Sequence, residues 1–136
     1  MSATNRGRDR QKDDYYSTPL WCVSALYDHA QIDPAELDPC AGSGALIRGT
    51  LDRYPKHKIE GAEKNPERAI YCIKAGLSVS CRDGLKMSWQ DKAVIINPPY
   101  NDALAWIEKG IAETRQLSAL LRLGFLASKG RRPFWL

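Results

Sequence analysis

Apolar residues recur along the chain in two alternating rhythms: short unbroken runs, and runs spaced three and four apart. The first fourteen residues have neither and read as a flexible arm. YYSTPLWCVSALYDHA then places Leu20, Val23, Ser24 and Tyr27 on one helix face. Thr18 followed by Pro19 has the form of an N-cap residue with proline at the first helical position. AELDPCAGSGAL reads as a very short strand running into a glycine turn. In ALIRGTLDRY, Leu46, Ile47, Thr50, Leu51 and Tyr54 return to helical spacing. KIEGAE, residues 58–63, is a second strand. Asn65-Pro66 repeats the cap-then-proline signal, and Gly76 stands where a helix end favours glycine, with Ala69, Ile70 and Ile73 as the stripe between them. LSVSC (77–81) and KAVII (92–96) are the third and fourth strands, Leu104, Ile107 and Ile111 mark another helix, and SALLRLGFL (118–126) is a fifth strand apolar enough to be buried.

Strand and helix alternate throughout, which predicts a parallel sheet covered by helices on both faces. Ligands of such sheets sit beyond the C-terminal strand ends, where the strand order reverses. Asp38, Glu63, Asp83 and Asn97 each stand at such an end. Their convergence is the strongest internal sign of a site.

The 136 residues allow one domain, expected over 15–136 behind an arm at 1–14. Composition, 43% hydrophobic and 26% charged, excludes a disordered or fibrous chain. Runs such as AVII and SALL are too short to cross a bilayer, and MSATNRGRDRQKDD lacks the apolar stretch of a secretory signal. Cys22, Cys40, Cys72 and Cys81 form no CxxC pair, which disfavours a zinc ribbon or redox motif and favours reduced thiols in a cytoplasm. The net charge of +4 is uneven, because six basic residues against one acidic fall in residues 109–136. Such an end is either ordinary solvated surface or a footprint for a polyanion such as nucleic acid.

The turn Asp38-Pro39-Cys40-Ala41-Gly42-Ser43-Gly44 has two glycines that let the backbone swing tightly and approach a ligand. The dinucleotide fingerprint wants a third glycine where Ile47 stands, so NAD is disfavoured. Glu63 can accept from both hydroxyls of a ribose, or be a solvated strand-end charge. Asp83 ends its strand in the same way, or closes an Asx turn at Asp-Gly. Asn97-Pro98-Pro99-Tyr100 is the most specific feature. Two prolines after a buried strand fix the turn, so that the Asn side chain and the Pro98 carbonyl point together as acceptors beside an aromatic ring. A planar ring bearing an exocyclic amine suits that arrangement.

In this order, DPCAGSG, Glu63, Asp83 and NPPY resemble the class I S-adenosylmethionine-dependent methyltransferases, and among them the small phage-type DNA adenine methyltransferases. Thr18-Pro19 resembles the family's amino-terminal cofactor motif, and the likeness covers about residues 15–132. It implies a Rossmann-like doubly wound sheet of strand order 3-2-1-4-5. It also implies that Asp38, Pro39, Gly42 and Gly44 hold the methionine part of S-adenosylmethionine, with Thr18 at its carboxylate, Glu63 on the ribose and Asp83 on the adenine amine. Asn97, Pro98, Pro99 and Tyr100 would form the catalytic pocket for N6 of adenine in DNA, in a host cytoplasm if the chain is phage-encoded.

NPPY is shared with methyltransferases of ribosomal RNA bases and of protein glutamine amides, so both substrates stay open. The family's last two strands and a target-recognition domain have no counterpart in the sequence. A C-terminally truncated, non-catalytic cofactor-binding remnant is therefore a further reading. The fifth strand would then be an apolar edge, open to pairing with a second subunit.

Overall fold

The computed structural model describes residues 17–121 and Phe125. Its elements run in chain order as α1 (Leu20–His29), β1 (Leu37–Asp38), α2 (Ala45–Arg53), β2 (Glu60–Glu63), α3 (Pro66–Lys74), β3 (Val79–Cys81), β4 (Ala93–Ile96), α4 (Ala103–Glu113) and β5 (Gln116–Ala119). Single turns of 3₁₀ helix at Gly84–Lys86 and Tyr100–Asp102 follow β3 and precede α4. The strands form one sheet in the order β3-β2-β1-β4-β5, with every pairing parallel. The expected doubly wound α/β architecture and strand order are therefore observed.

Burial follows from the two periods. Ala93, Val94, Ile95 and Ile96 are all buried because β4 is central and covered on both faces. One core packs Val23, Tyr27, Ile47 and Cys72 against Ile95, and the other packs Leu37, Trp89, Trp106, Ile107 and Phe125 against Val94 and Ile96. The Tyr27 hydroxyl joins α1 to α2 and to the segment before β1, 3.0 Å from Thr50 Oγ1 and 3.1 Å from the Ala35 N that donates to it. At the N-terminal strand ends, Arg115 reaches Asp33 Oδ2 and Glu36 Oε1, each at 2.6 Å, while Glu36 also accepts the Ala93 N–H. Gln116 exchanges two further hydrogen bonds with the Asp33 backbone.

Asn65 caps α3 by accepting from Arg68 N–H, and Gly76 adopts φ +85° after its last turn, both as the sequence signals predict. Other expectations are corrected. Thr18 does not cap α1: Pro19 is the cap residue, no side chain bonds the helix start, and the Thr18 hydroxyl faces the sheet instead. Of the α1 stripe, Val23 and Tyr27 are buried, whereas Leu20 and Ser24 are exposed. The inward stripe of α3 is Ala69 and Cys72, and that of α4 includes Ala103, Trp106, Ile107 and Gly110. Ile70, Ile73 and Ile111 lie half or more exposed.

The fifth strand comes earlier than 118–126. Register against β4 pairs Ala93 with Gln116 and Ile96 with Ala119, so Leu120 and Leu121 follow the strand and Phe125 is buried in helical conformation. The segment therefore does not form one continuous edge strand. The expected arm at 1–14 and the basic residues Lys129, Arg131 and Arg132 lie outside the described residues. Among the described residues no helix is long and apolar enough to cross a membrane, and no cluster of His, Cys, Asp and Glu suits a metal ion.

Candidate functional site

The C-terminal ends of β1 to β4 open into one cleft. Each wall is a loop that a strand throws out as it stops. From β1 come Pro39, Cys40 and Gly42, from β2 Glu63 and Asn65, from β3 Asp83 and Leu85, and from β4 Asn97, Pro98, Pro99 and Tyr100. Thr18, just before α1, closes one side. Of the eleven residues marked in the sequence, only Asp38 and Gly44 do not line the cleft.

Gly42 has φ +57° and Gly44 φ +88°, left-handed conformations that favour glycine. They turn the chain from β1 into α2 and aim the Gly42 N–H at Glu63 Oε1, 2.8 Å away. Glu63 Oε2 accepts the Asn65 N–H at 2.7 Å, and Arg68 Nε lies 3.5 Å from the same oxygen. Each carboxylate oxygen has more than one acceptor direction, so these bonds fix the group without exhausting it. Such a group suits a diol.

Asp83 Oδ1 accepts the Leu85 N–H at 3.0 Å, so the Asx turn is present at the cleft wall. Its neighbour Gly84 sits against β1's loop: a Cβ there would lie 1.8 Å from the Pro39 carbonyl oxygen. The Trp89 indole N–H donates to the Gly84 carbonyl at 2.9 Å and holds this loop from behind.

Asp38 is fully buried beneath the cleft. Its Oδ1 accepts the Cys40 N–H at 3.1 Å, while Oδ2 has no partner among the described residues. Burial pushes its carboxyl up to about 8, opposed by the Cys40 N–H and reinforced by the nearby Glu63 charge. The folded chain thus keeps a proton that the unfolded chain, with its ordinary carboxyl near 3.8, has released. Stability from this group is complete below the unfolded value and falls as pH rises toward about 8, by up to about 1.4 kcal/mol per pH unit. Urea unfolding at pH 5, 6 and 7 should show this decline in the wild type and its loss in Asp38→Asn. Parallel profiles for the two proteins would exclude it.

Asn97 is held by both backbone and side chain. Buried β4 delivers it, two prolines follow it, and its Nδ2 donates to Thr18 Oγ1 at 2.7 Å. Its backbone carbonyl accepts from the Cys40 thiol, Sγ to O 3.6 Å. That thiol is pushed well above its ordinary value, first by burial and then by the Asp38 charge, so it stays a neutral donor.

Arg68 and Trp106 also line the cleft, and the sequence reading did not mark them. Arg68 lies on the first turn of α3, three residues past its cap, which brings it back to Glu63. Trp106 falls on the inward stripe of α4 and stacks on Trp89 with ring centroids 5.7 Å apart. Helical phase from Tyr100 onward was the available signal for it.

No family model matches the chain, and no curated protein matches it. Solved structures do. The 23S rRNA methyltransferase ErmE superposes with a TM-score of 0.65 at 18% identity over 85% of this chain and 51% of its own. A putative RNA methyltransferase, PH1948, from Pyrococcus horikoshii gives 0.57 at 22% identity over 79% and 60%. Coclaurine N-methyltransferase, bound to N-methylheliamine and SAH, gives 0.54 at 17% identity over 79% and 38%. The chain spans less than two thirds of the length of each. With five parallel strands in the order 3-2-1-4-5, it has the Rossmann-like fold of these methyltransferases.

Proposed function

We propose that the chain transfers a methyl group from S-adenosylmethionine to an exocyclic amine of a nucleic-acid base, with N6 of adenine in DNA as the substrate. The observation that carries this reading is the meeting of Asn97-Pro98-Pro99-Tyr100 with the Gly42–Glu63 turn in one cleft. One half supplies acceptors and an aromatic ring for a planar amine, the other a carboxylate and backbone for a nucleoside.

When bound, S-adenosylmethionine would supply an electrophilic methyl on a sulfonium; the amine would take that methyl, the C–S electron pair would stay on sulfur as S-adenosylhomocysteine, and the amine proton would go to water. Glu63 would accept from the ribose hydroxyls, Asp83 would meet the adenine amine, and the Gly42 turn would hold the methionine part. Asp38 lies behind that turn with one oxygen unpartnered among the described residues, where a cationic ammonium would stabilise its charged form. The amine of a base is a poor nucleophile because its lone pair is delocalised into the ring. Acceptors at the Asn97 amide and the Pro98 carbonyl draw its hydrogens and localise that pair. Positioning and preorganised dipoles then provide the acceleration. Duplex DNA must present the base flipped out, and Tyr100 offers the face on which it stacks.

RNA is the second reading, favoured by the two neighbours named as RNA methyltransferases. The test is incubation of the chain with labelled S-adenosylmethionine and unmethylated DNA, RNA or protein, followed by digestion and mass detection. N6-methyladenine from DNA is expected. Label in RNA or glutamine alone would replace the substrate, and no transfer to any would remove the function.

Glu63→Gln should weaken cofactor binding at least about tenfold, since hydrogen bonds to charged groups are the stronger kind. The amide has one accepting oxygen where the carboxylate has two, and its NH₂ would face a backbone N–H. Calorimetric titration with S-adenosylhomocysteine reads the loss, and equal affinities would disprove the ribose assignment.

A further inference from the structure

The contact between Thr18 and Asn97 joins residues 79 apart in the chain, and both line the cleft. Thr18 is 7% exposed, and its backbone leads directly into α1, which Val23 and the Tyr27 hydroxyl fasten to the body. It is therefore a fixed post. Asn97 ends a buried strand, and Cys40 holds its carbonyl, so its backbone is also fixed. Thr18 acts on the turn of the side-chain amide about its last bond.

The two ends of an amide are nearly the same shape and opposite in chemistry: the nitrogen only donates and the oxygen only accepts. A substrate amine brings hydrogens. If the amide met it with its nitrogen, donor would face donor. The 2.7 Å bond commits Nδ2 to Thr18, which makes Oδ1 the end that offers lone pairs. We propose that Thr18 is a positioning residue for methyl transfer, whose side-chain oxygen sets which end of the Asn97 amide meets the substrate amine. This rests on the function proposed above, and it differs from a contact of Thr18 with the cofactor's carboxylate. A cofactor contact would alter affinity, whereas an amide anchor alters turnover.

Thr18→Val keeps the shape and removes the hydroxyl, while Thr18→Ser keeps the hydroxyl. Transfer to unmethylated DNA (or RNA, if that is the substrate found), S-adenosylhomocysteine binding and thermal unfolding are compared for both. The expected result is a kcat about tenfold lower in Thr18→Val, with substrate KM and cofactor Kd changed less than about twofold, and recovery in Thr18→Ser. Added to Asn97→Ala, the valine should cost nothing more, because two residues acting through one bond are not additive. A wild-type kcat in Thr18→Val, an equally slow Thr18→Ser, a loss confined to cofactor affinity, or full additivity would each overturn the proposal. NMR of the Asn97 side-chain NH₂, assigned by its disappearance in Asn97→Ala, reads the anchor apart from its effect on transfer. Those protons should shift and exchange faster in Thr18→Val, and an unchanged pair overturns the anchor. A wild type that shows the anchor but transfers no methyl group overturns the proposed function and, with it, the role of Thr18 in transfer.

Discussion

Replacing Asn97 with alanine is expected to lower the rate of methyl transfer at least about a hundredfold, a typical loss for one preorganised polar group. The residue stands where the buried β4 strand stops, on the wall of the cleft opposite Glu63's strand end. Its amide already donates to Thr18 before any substrate arrives, and two prolines follow it in the chain. Truncation removes the acceptor and leaves the cradle at Gly42 and Glu63 as it was, since the bonds that hold Glu63 come from the Gly42 and Asn65 backbone. Cofactor affinity should therefore stay within about twofold while kcat collapses, the signature of an interaction made mainly in the transition state. Stopped assays with labelled cofactor, run beside calorimetry, read both quantities. A variant that keeps more than about a tenth of wild-type kcat would show that the amide does not act on the reacting amine.

The largest effect on stability is expected at Gly84. An added Cβ would sit 1.8 Å from the Pro39 carbonyl oxygen and 2.7 Å from its carbon, and both obstacles are backbone. Neither can rotate away as a side chain tip would. The loops after β1 and β3 would have to separate, although Trp89 holds the second from behind. Gly84→Ala should cost about 3 kcal/mol, the upper part of the range for overpacking, and lower Tm by roughly 10 °C. Gly76 is the natural comparison: it has φ +85° but nothing within 4 Å of an added Cβ. Alanine there meets only left-handed backbone strain, about 1–2 kcal/mol. Thermal melts of the two variants should separate clearly. Equal shifts would mean that the two loops part easily, and the close approach would carry no structural weight.

The parallel sheet and its strand-end cleft were legible because their signal is local. Short apolar runs alternate with amphipathic segments, and the residues with chemistry sit at the boundaries. What escaped was long-range. Thr18-Pro19 has the form of a helix cap, yet the hydroxyl goes to an amide 79 residues away. Residues 118–126 look like the best remaining strand by hydropathy, but the partner's register places β5 at Gln116–Ala119, where its side chains are only partly buried. Hydropathy finds burial; pairing decides which backbone forms the ladder. Ile70 and Ile73 looked like a stripe because isoleucine is apolar, whereas the helix turns the smaller Ala69 and Cys72 inward at close quarters with the sheet. Asp38 was placed among the cleft residues by its position, but the two-residue strand carries its carboxylate under the floor.

The cluster of Arg115, Asp33 and Glu36 ties β1, β4 and β5 together at the end of the sheet remote from the cleft. Its bonds join residues that precede β1 and β5 to the first residue of β4, at the opposite end of the strands from Glu63 and Tyr100. Descent with modification can therefore treat the two ends of this sheet as separate materials. One end keeps neighbouring strands in step, and the other is a set of loops that can be lengthened, shortened or exchanged. A lineage could change what the cleft accepts by rewriting the rim while the fastening below it stayed untouched.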